Sequence, residues 1–590
     1  MIPKIAFFSL IWVIVGSFST KAQPTTYTNL TEALKNPKQV TKLNLKEQKL
    51  KRLPNSLGQL QNLEYLDVSL NPLQEFPVVI LSLKKLRTLK LYTDYGKYTK
   101  IHEIPAQINR LKQLRYLDIS HLPLHKEPKA VYQLKNLEVL KMSSVIPIID
   151  LKKTPKKPNT GGFRSSMRGA YTLTLQGIGN LKKLKELDIS HQTWRMKTLP
   201  AEITQLVNLE HLNISSNWYP SLPVGIKNLK KLTHLNLNHT VNYLKNAHLN
   251  LEFVSQLKLE SLHLKYAQNP ASILDLLSHP DQLRTLNLSF CDLTKLPESL
   301  FQCTQLRKLD LSYNKLKDLP SDISKLAQLE ILDISNNSFE KLPNALSTLT
   351  HLKTLDCSRS FLCYPEQGLV LPDNFGQLKN LEELNLRGNA INDFPASFGQ
   401  MPQLKSLNIY GIVVTTQMAT KLTQLTNLEY LEMTLDEKAQ LPDTFKNLTK
   451  LKELAIAASY CEGVPTGNYI AAFPLVICDL PVLERLSLVG HEIKSIPPQI
   501  KQLKHLKFLN LYDNIIAKLP DELGELKALT YLGIDLYCIG HRYKLCQQPL
   551  VLPASLCNLQ QLKSLEYGDR KIEPASLKKI QQCLKLTDKK

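Results

Sequence analysis

Two copies of Leu-Asp-Ile-Ser-His place an acid, a hydroxyl and an imidazole within four residues: Asp118, Ser120 and His121, then Asp188, Ser190 and His191. Those are the residue types of an orienting carboxylate, a nucleophile and a general base. Their spacing defeats the chemistry. On an extended strand the Asp and Ser share a face while the adjacent His points to the other, and no nucleophile elbow or oxyanion-hole motif accompanies them. The chain therefore reads as non-enzymatic. His211 and His234 are two imidazoles able to approach one another for a metal, but with no carboxylate or thiolate beside them they make a poor site. No metal and no cofactor is expected.

Other residues suit recognition. Tyr266, Phe290 and Tyr313 recur at equivalent points of three successive segments, with His121, His191 and His239 in the same register upstream and Trp194, Trp218 and Tyr219 slightly further round. Aromatic side chains on a rigid surface anchor protein interfaces, and stacked rings also suit sugars. Lys152, Lys153, Lys156, Lys157, Arg164 and Arg168 crowd around Gly161 and Gly162. That charge suits a polyanion such as an acidic glycan or a lipid headgroup.

What must position these residues is a repeat. Residues 283–305, 306–328 and 329–351 align without a gap at a period of 23, each with Leu or Ile at the first, fourth and sixth places, Asn or Cys at the ninth and Leu-Pro further on. A unit of that size cannot bury its own leucines and must stack on neighbours. Counting the first Leu as position 1 gives 21 short strands beginning between Val40 and Leu562. They predict one parallel sheet on the concave face of a horseshoe-shaped α/β solenoid, with short helical or 3₁₀ turns entered by Leu-Pro on the convex face. Positions 3, 5 and 7 face outward from the sheet. Position 5 is Asn or Asp in 13 of the 21 strands, including Asp310 and Asp333, a column able to accept hydrogen bonds from a partner. Six repeats lengthen just after position 9, at Asp94, Val145, Thr240, Ser360, Ser459 and Tyr537, so their insertions emerge along one edge. That edge is the expected binding side.

The organisation follows. Residues 1–22 carry Lys4, an apolar run from Ile5 to Phe18 and small residues before the end at Ala22, and read as a secretory signal peptide. Residues 23–39 form a helical cap around Thr31–Pro37, residues 40–561 hold repeats 1 to 20, and 562–590 supply the last strand and a closing helix with Leu577, Ile580 and Leu584 inward. A secreted or periplasmic envelope location is expected, with no membrane span in the mature chain and no nucleic acid as partner. In an oxidising compartment disulfides persist. Cys291, Cys303 and Cys357 stand at core positions, while Cys461 with Cys478, and Cys538 with Cys546 or Cys557, are the candidate bridges. Net charge is +22 and the composition is 43% hydrophobic but only 7% aromatic, which means a core of Leu and Ile inside a basic surface.

The repeat resembles the leucine-rich-repeat superfamily, and its LPxxLxxLxxLxxLxLxxN form is similar to the Ras-suppressor and scribble-like class. The lead-in TEALKNPKQVTKLNL resembles that of secreted bacterial leucine-rich-repeat proteins. The resemblance implies a recognition scaffold without naming its partner. The leading expectation is an envelope or extracellular protein that captures a protein ligand on its concave face and insertion-bearing edge. The alternatives are a glycan or polyanion binder using residues 146–170 and the aromatic strip, and an intracellular signalling scaffold if 1–22 is not a signal.

Overall fold

The computed structural model describes residues 25–94, 99–144, 173–192, 199–217, 219, 222–240, 251–359, 368–458, 460–461, 464–465, 469–534, 548–568 and 570–585. Residues 1–22, the basic insertion, Trp194, Trp218, Cys538 and Cys546 lie outside the described residues. The chain divides into two compact units, Met1–Leu187 and Asp188–Lys590.

In the first unit, strands Lys42–Asn44, Tyr65–Asp67, Thr88–Lys90, Tyr116–Asp118 and Val139–Lys141 pair in parallel, equivalent position to equivalent position. Thr26–Tyr27 adds a further parallel strand beside Lys42 and Leu43, which the repeat spacing did not announce. Between them runs the helix Leu30–Ala33, its first turn closed by Asn29 Oδ1 accepting from Thr31 N at 2.8 Å.

In the second unit the same pairing runs turn after turn, so that Leu286, Leu309, Leu332 and Leu355 lie side by side on neighbouring strands. All 21 strands expected from the spacing are present at positions 3 to 5 of their repeats. The alternation explains why: Leu286, Leu288, Leu300 and Leu306 are fully buried while positions 3 and 5 face out. Away from the strands the chain forms 3₁₀ turns such as Glu298–Gln302, Ser321–Lys325 and Asn344–Thr348. Prolines introduce these turns from the position just before them: Pro297, with φ −70° and ψ 142°, is the cap. An extended cap suits Pro, whose missing N–H costs nothing there. Successive turns approach closely at Gly376, where a Cβ would collide with Ser397 O.

Position 9 carries the buried amide ladder. Asn314 Oδ1 accepts from Cys291 N at 2.9 Å and Leu293 N at 3.0 Å, while its Nδ2 donates to Leu288 O at 2.9 Å and Leu311 O at 2.8 Å. One side chain thus satisfies backbone groups of two turns that no sheet bond reaches. Fully buried His491 fills the same slot in its repeat, with Nε2 3.1 Å from Ile456 O.

The helix Pro574–Leu584 is capped by Glu573, whose carboxylate accepts from Ala575 N and Ser576 N. Ile580 is fully buried, while Leu577 and Leu584 are half-buried. Cys583 of this helix is disulfide-bonded to Cys557 in the last 3₁₀ turn, with Cα atoms 5.5 Å apart. Cys557 is bridged as expected but to a different partner, which corrects the Cys538–Cys557 alternative, while the pairing of Cys538 with Cys546 lies outside the described residues. Cys557 is taken by Cys583 rather than Cys538, because the closing helix lies against that turn. Cys478 is a free thiol, so the bridge to Cys461 is absent: Cys478 points into the core from the turn Leu475–Asp479, whereas Cys461 belongs to a separate hairpin, Tyr460–Cys461 against Val464–Pro465. Cys291, Cys303 and Cys357 are buried thiols.

Candidate functional site: an aromatic rib beside the sheet

Position 8 is where the strand has ended and the chain turns. Its backbone is left-handed in repeat after repeat: φ is 57° at His239, 67° at Tyr266, 57° at Phe290, 55° at Tyr313 and 53° at Asn336. Glycine takes the place at Gly388, Gly411 and Gly490, also with positive φ. Side-chain-bearing residues pay for that conformation, and a hydrogen bond holds them to it. Tyr266 N donates to Ser289 O at 3.0 Å, Phe290 N to Ser312 O at 3.0 Å and Tyr313 N to Ser335 O at 2.9 Å, each reaching position 7 of the next turn.

With the peptides fixed in this way, the side chains stack. Ring centroids are 4.0 Å apart for His239 and Tyr266, 4.6 Å for Tyr266 and Phe290, and 4.1 Å for Phe290 and Tyr313. Tyr313 is 44% exposed, and it is the one aromatic among the exposed large hydrophobic side chains of the described residues. The Lys265 ammonium lies over this rib, 4.5 Å from the Phe290 centroid and 5.5 Å from that of Tyr266. Burial, then Lys265 and His191, hold the His239 imidazole below its usual range.

The other expected site residues separate from the rib. His191 has the same backbone conformation, but Ser216 occupies position 8 between it and His239, so the stack does not extend to it. Tyr219 is a correction: at 3% exposure it is core. It stands two residues beyond Asn217, at the position where Leu316 and Phe339 turn inward in their repeats, and burial pushes its phenol up. Asp310 also proves to be internally engaged. Its Oδ1 accepts from Ser312 N at 3.0 Å and Ser312 Oγ at 2.6 Å, and its Oδ2 from Asn287 Nδ2 at 2.7 Å. Asp333 accepts from Ser335 N at 2.9 Å and lies between Asp310 and Asp356 in the sheet register. Burial, followed by those two neighbours, pushes the Asp333 carboxyl up to about 6. The column is a structural ladder before it is a binding surface. His211 and His234 stack with centroids 4.0 Å apart. Among the described residues no three His, Cys, Asp or Glu side chains gather as a metal would need.

The spacing did not single out Lys265. Its signal was available: position 7 is Asn238, Ser289, Ser312 and Ser335 in the neighbouring repeats, and Lys265 alone is charged. A second aromatic group was also missed, because it sits at positions 3 and 7. Arg485 lies 3.9 Å from the Phe508 centroid, Phe508 stacks on Tyr531 at 4.3 Å, and the Tyr512 and Tyr531 hydroxyls both donate to Glu566.

Parallel strands in equal register, 3₁₀ turns opposite them and an amide ladder at position 9 decide the fold. These are leucine-rich repeats. The leucine-rich-repeat family profile matches residues 281–339, and a second, described as a leucine-rich repeat region, matches 366–495. Among curated proteins, an adenylate cyclase of Schizosaccharomyces pombe is 28% identical over 198 residues, covering 30% of this chain and 11% of the cyclase. A volume-regulated anion channel subunit of Mus musculus is 28% identical over 192 residues, covering 28% of this chain and 24% of the subunit. The chain therefore spans less than a quarter of the length of either relative. Among solved structures, a leucine-rich-repeat protein of Leptospira interrogans is 25% identical over 96% of this chain and 100% of its own, with a TM-score of 0.30. The ectodomain of an Arabidopsis thaliana membrane receptor kinase, solved with Casparian strip integrity factor 2, is 19% identical over 92% of this chain and 75% of its own, with a TM-score of 0.40. No helix among the described residues is long and apolar enough to cross a membrane.

Proposed function

We propose that this leucine-rich-repeat protein is an exported, non-enzymatic scaffold that captures a protein partner on the rib formed by His239, Tyr266, Phe290 and Tyr313. The continuity of the rib over four successive repeats carries the reading. Aromatic anchors fixed before binding lose little freedom when a partner arrives. The stacking also weighs between partners: neighbouring ring faces cover one another, so edges rather than faces line the surface, and a sugar needs a face. Export rests on the amino-terminal signal-like segment and is supported by the Cys557–Cys583 disulfide, since such bonds persist in oxidising compartments. The cyclase and channel subunit are matched only over part of their length, so their activities are not carried over.

The test is a pull-down with residues 23–590 from envelope and extracellular material, at low and high salt, beside a Phe290→Ala/Tyr313→Ala double variant. A discrete protein retained at high salt by the parent and lost by the variant is the expected result. Acidic glycan or lipid, lost as salt rises and indifferent to the double variant, would instead favour the basic insertion 146–170.

A further inference from the structure

Beside the rib lies a cation that, among the described residues, has no carboxylate against it. Elsewhere on the outward face, three cations laid on aromatic rings also have a carboxylate: Lys90, over Tyr65 and Tyr116, is 4.0 Å from Asp67, Lys141 is 2.7 Å from Glu186, and Arg485, over Phe508, is 3.4 Å from Glu453. Lys46 over Tyr92 and Arg387 over Tyr410 have no carboxylate within 4.0 Å among the described residues, but each meets a single ring. Lys265 has the rings of Tyr266 and Phe290 but, among the described residues, no carboxylate oxygen within 4.0 Å. It is half-buried, so its charge is only partly hydrated. The column it belongs to is otherwise Asn238, Ser289, Ser312 and Ser335, and the nearest acidic column residue, Asp310, already has both oxygens engaged. Ring edges carry the positive end of the aromatic quadrupole, so the edge-lined rib and the ammonium have the same sign.

We propose that Lys265 is the specificity determinant of the rib, and that its occupant is an extended polypeptide segment of the partner protein that sets an Asp or Glu side chain against the Lys265 ammonium. This rests on the protein-capture reading above and names the chemistry of the partner. The dimensions suit it: three ring spacings of 4.0, 4.6 and 4.1 Å match roughly four residues of extended chain at about 3.3 Å each. The carboxylate fills the coordination that Asp67 and Glu186 supply to Lys90 and Lys141.

The experiment is selection of a displayed random octapeptide library on immobilised 23–590, carried out in parallel on Lys265→Gln, Lys265→Glu and Phe290→Ala/Tyr313→Ala. Circular dichroism and melting temperature confirm folding of each variant. Peptides selected by the parent should carry Asp or Glu at one fixed position. That preference should vanish with Lys265→Gln and turn to Lys or Arg with Lys265→Glu, and a parent-selected peptide should bind Lys265→Glu about 10- to 100-fold more weakly, the range for a charged hydrogen bond. Peptides lost on the Phe290/Tyr313 variant whose composition ignores position 265 would overturn the role of Lys265 and leave the rib standing. Failure of the parent to select any peptide that the double variant loses would overturn the rib itself. Oligogalacturonate bound by the parent and lost with Lys265→Glu, in place of any peptide, would replace the polypeptide by an acidic sugar and overturn the proposal.

Discussion

Phe290 stacks on Tyr313 with ring centroids 4.1 Å apart and planes inclined by 10°, although each residue holds a left-handed backbone that bulky side chains disfavour. The stack repays part of that strain, so the two residues should be energetically coupled. A double-mutant cycle with Phe290→Ala and Tyr313→Ala, read by denaturant unfolding, should give a coupling of about 0.5–1.5 kcal/mol. Strictly additive losses would show that the rings contribute nothing to each other.

Asn314 serves two turns at once, and truncating it leaves the buried N–H groups of Cys291 and Leu293 without their acceptor. Asn314→Ala should therefore cost about 2–4 kcal/mol, whereas Asn55→Ala, on the exposed surface, should cost far less. Equal losses in equilibrium unfolding would mean that the ladder is not what joins the turns.

Asp333 makes stability depend on pH in an uncommon direction. Its folded carboxyl titrates near 6, above the ordinary unfolded value of about 3.9. The folded state thus holds this proton more tightly, and the contribution of Asp333 to stability is fully present below about pH 4 and is lost as pH rises through 6. The charged column then costs at most about 3 kcal/mol. Asp333→Asn should raise the melting temperature at pH 7.5 and bring no gain at pH 4. A gain that persists at pH 4 would assign the effect to something other than titration.

The Cys557–Cys583 bond closes a loop of 26 residues, worth about 3.5 kcal/mol on the chain-entropy estimate. Cys583→Ser should speed hydrogen exchange in the helix Pro574–Leu584 and leave the amides of Phe290 and Tyr313 as protected as before. Unchanged exchange in the helix would show that Ile580 and the Glu573 cap suffice.

Much of this was readable beforehand because a parallel stack repeats one geometric decision. Once Leu283, Leu306 and Leu329 fix the period, every strand from Lys42–Asn44 to Ser564–Glu566 has its place, and Tyr266, Phe290 and Tyr313 must share a row. What was not readable depends on contacts between rows. Tyr219 looked like a neighbour of exposed tryptophans, yet its position in the repeat turns it inward. Cys557 was legible as a bridge residue but its partner Cys583 was not, because cysteine spacing along the chain says little about which turn the closing helix covers. Asp310 looked available because sequence shows a carboxylate and not the serine and asparagine that saturate it.

The hydrogen bond that sets position 8 is made entirely by main chain, from the N–H of one repeat to a carbonyl of the next. His, Tyr, Phe, Asn and Gly all occupy the place with the same sign of φ. What the surface displays there is thus set independently of what keeps the coil wound. Mutation can rewrite the display one residue at a time while the leucines behind it stay untouched, so this row can diversify without unwinding the repeat.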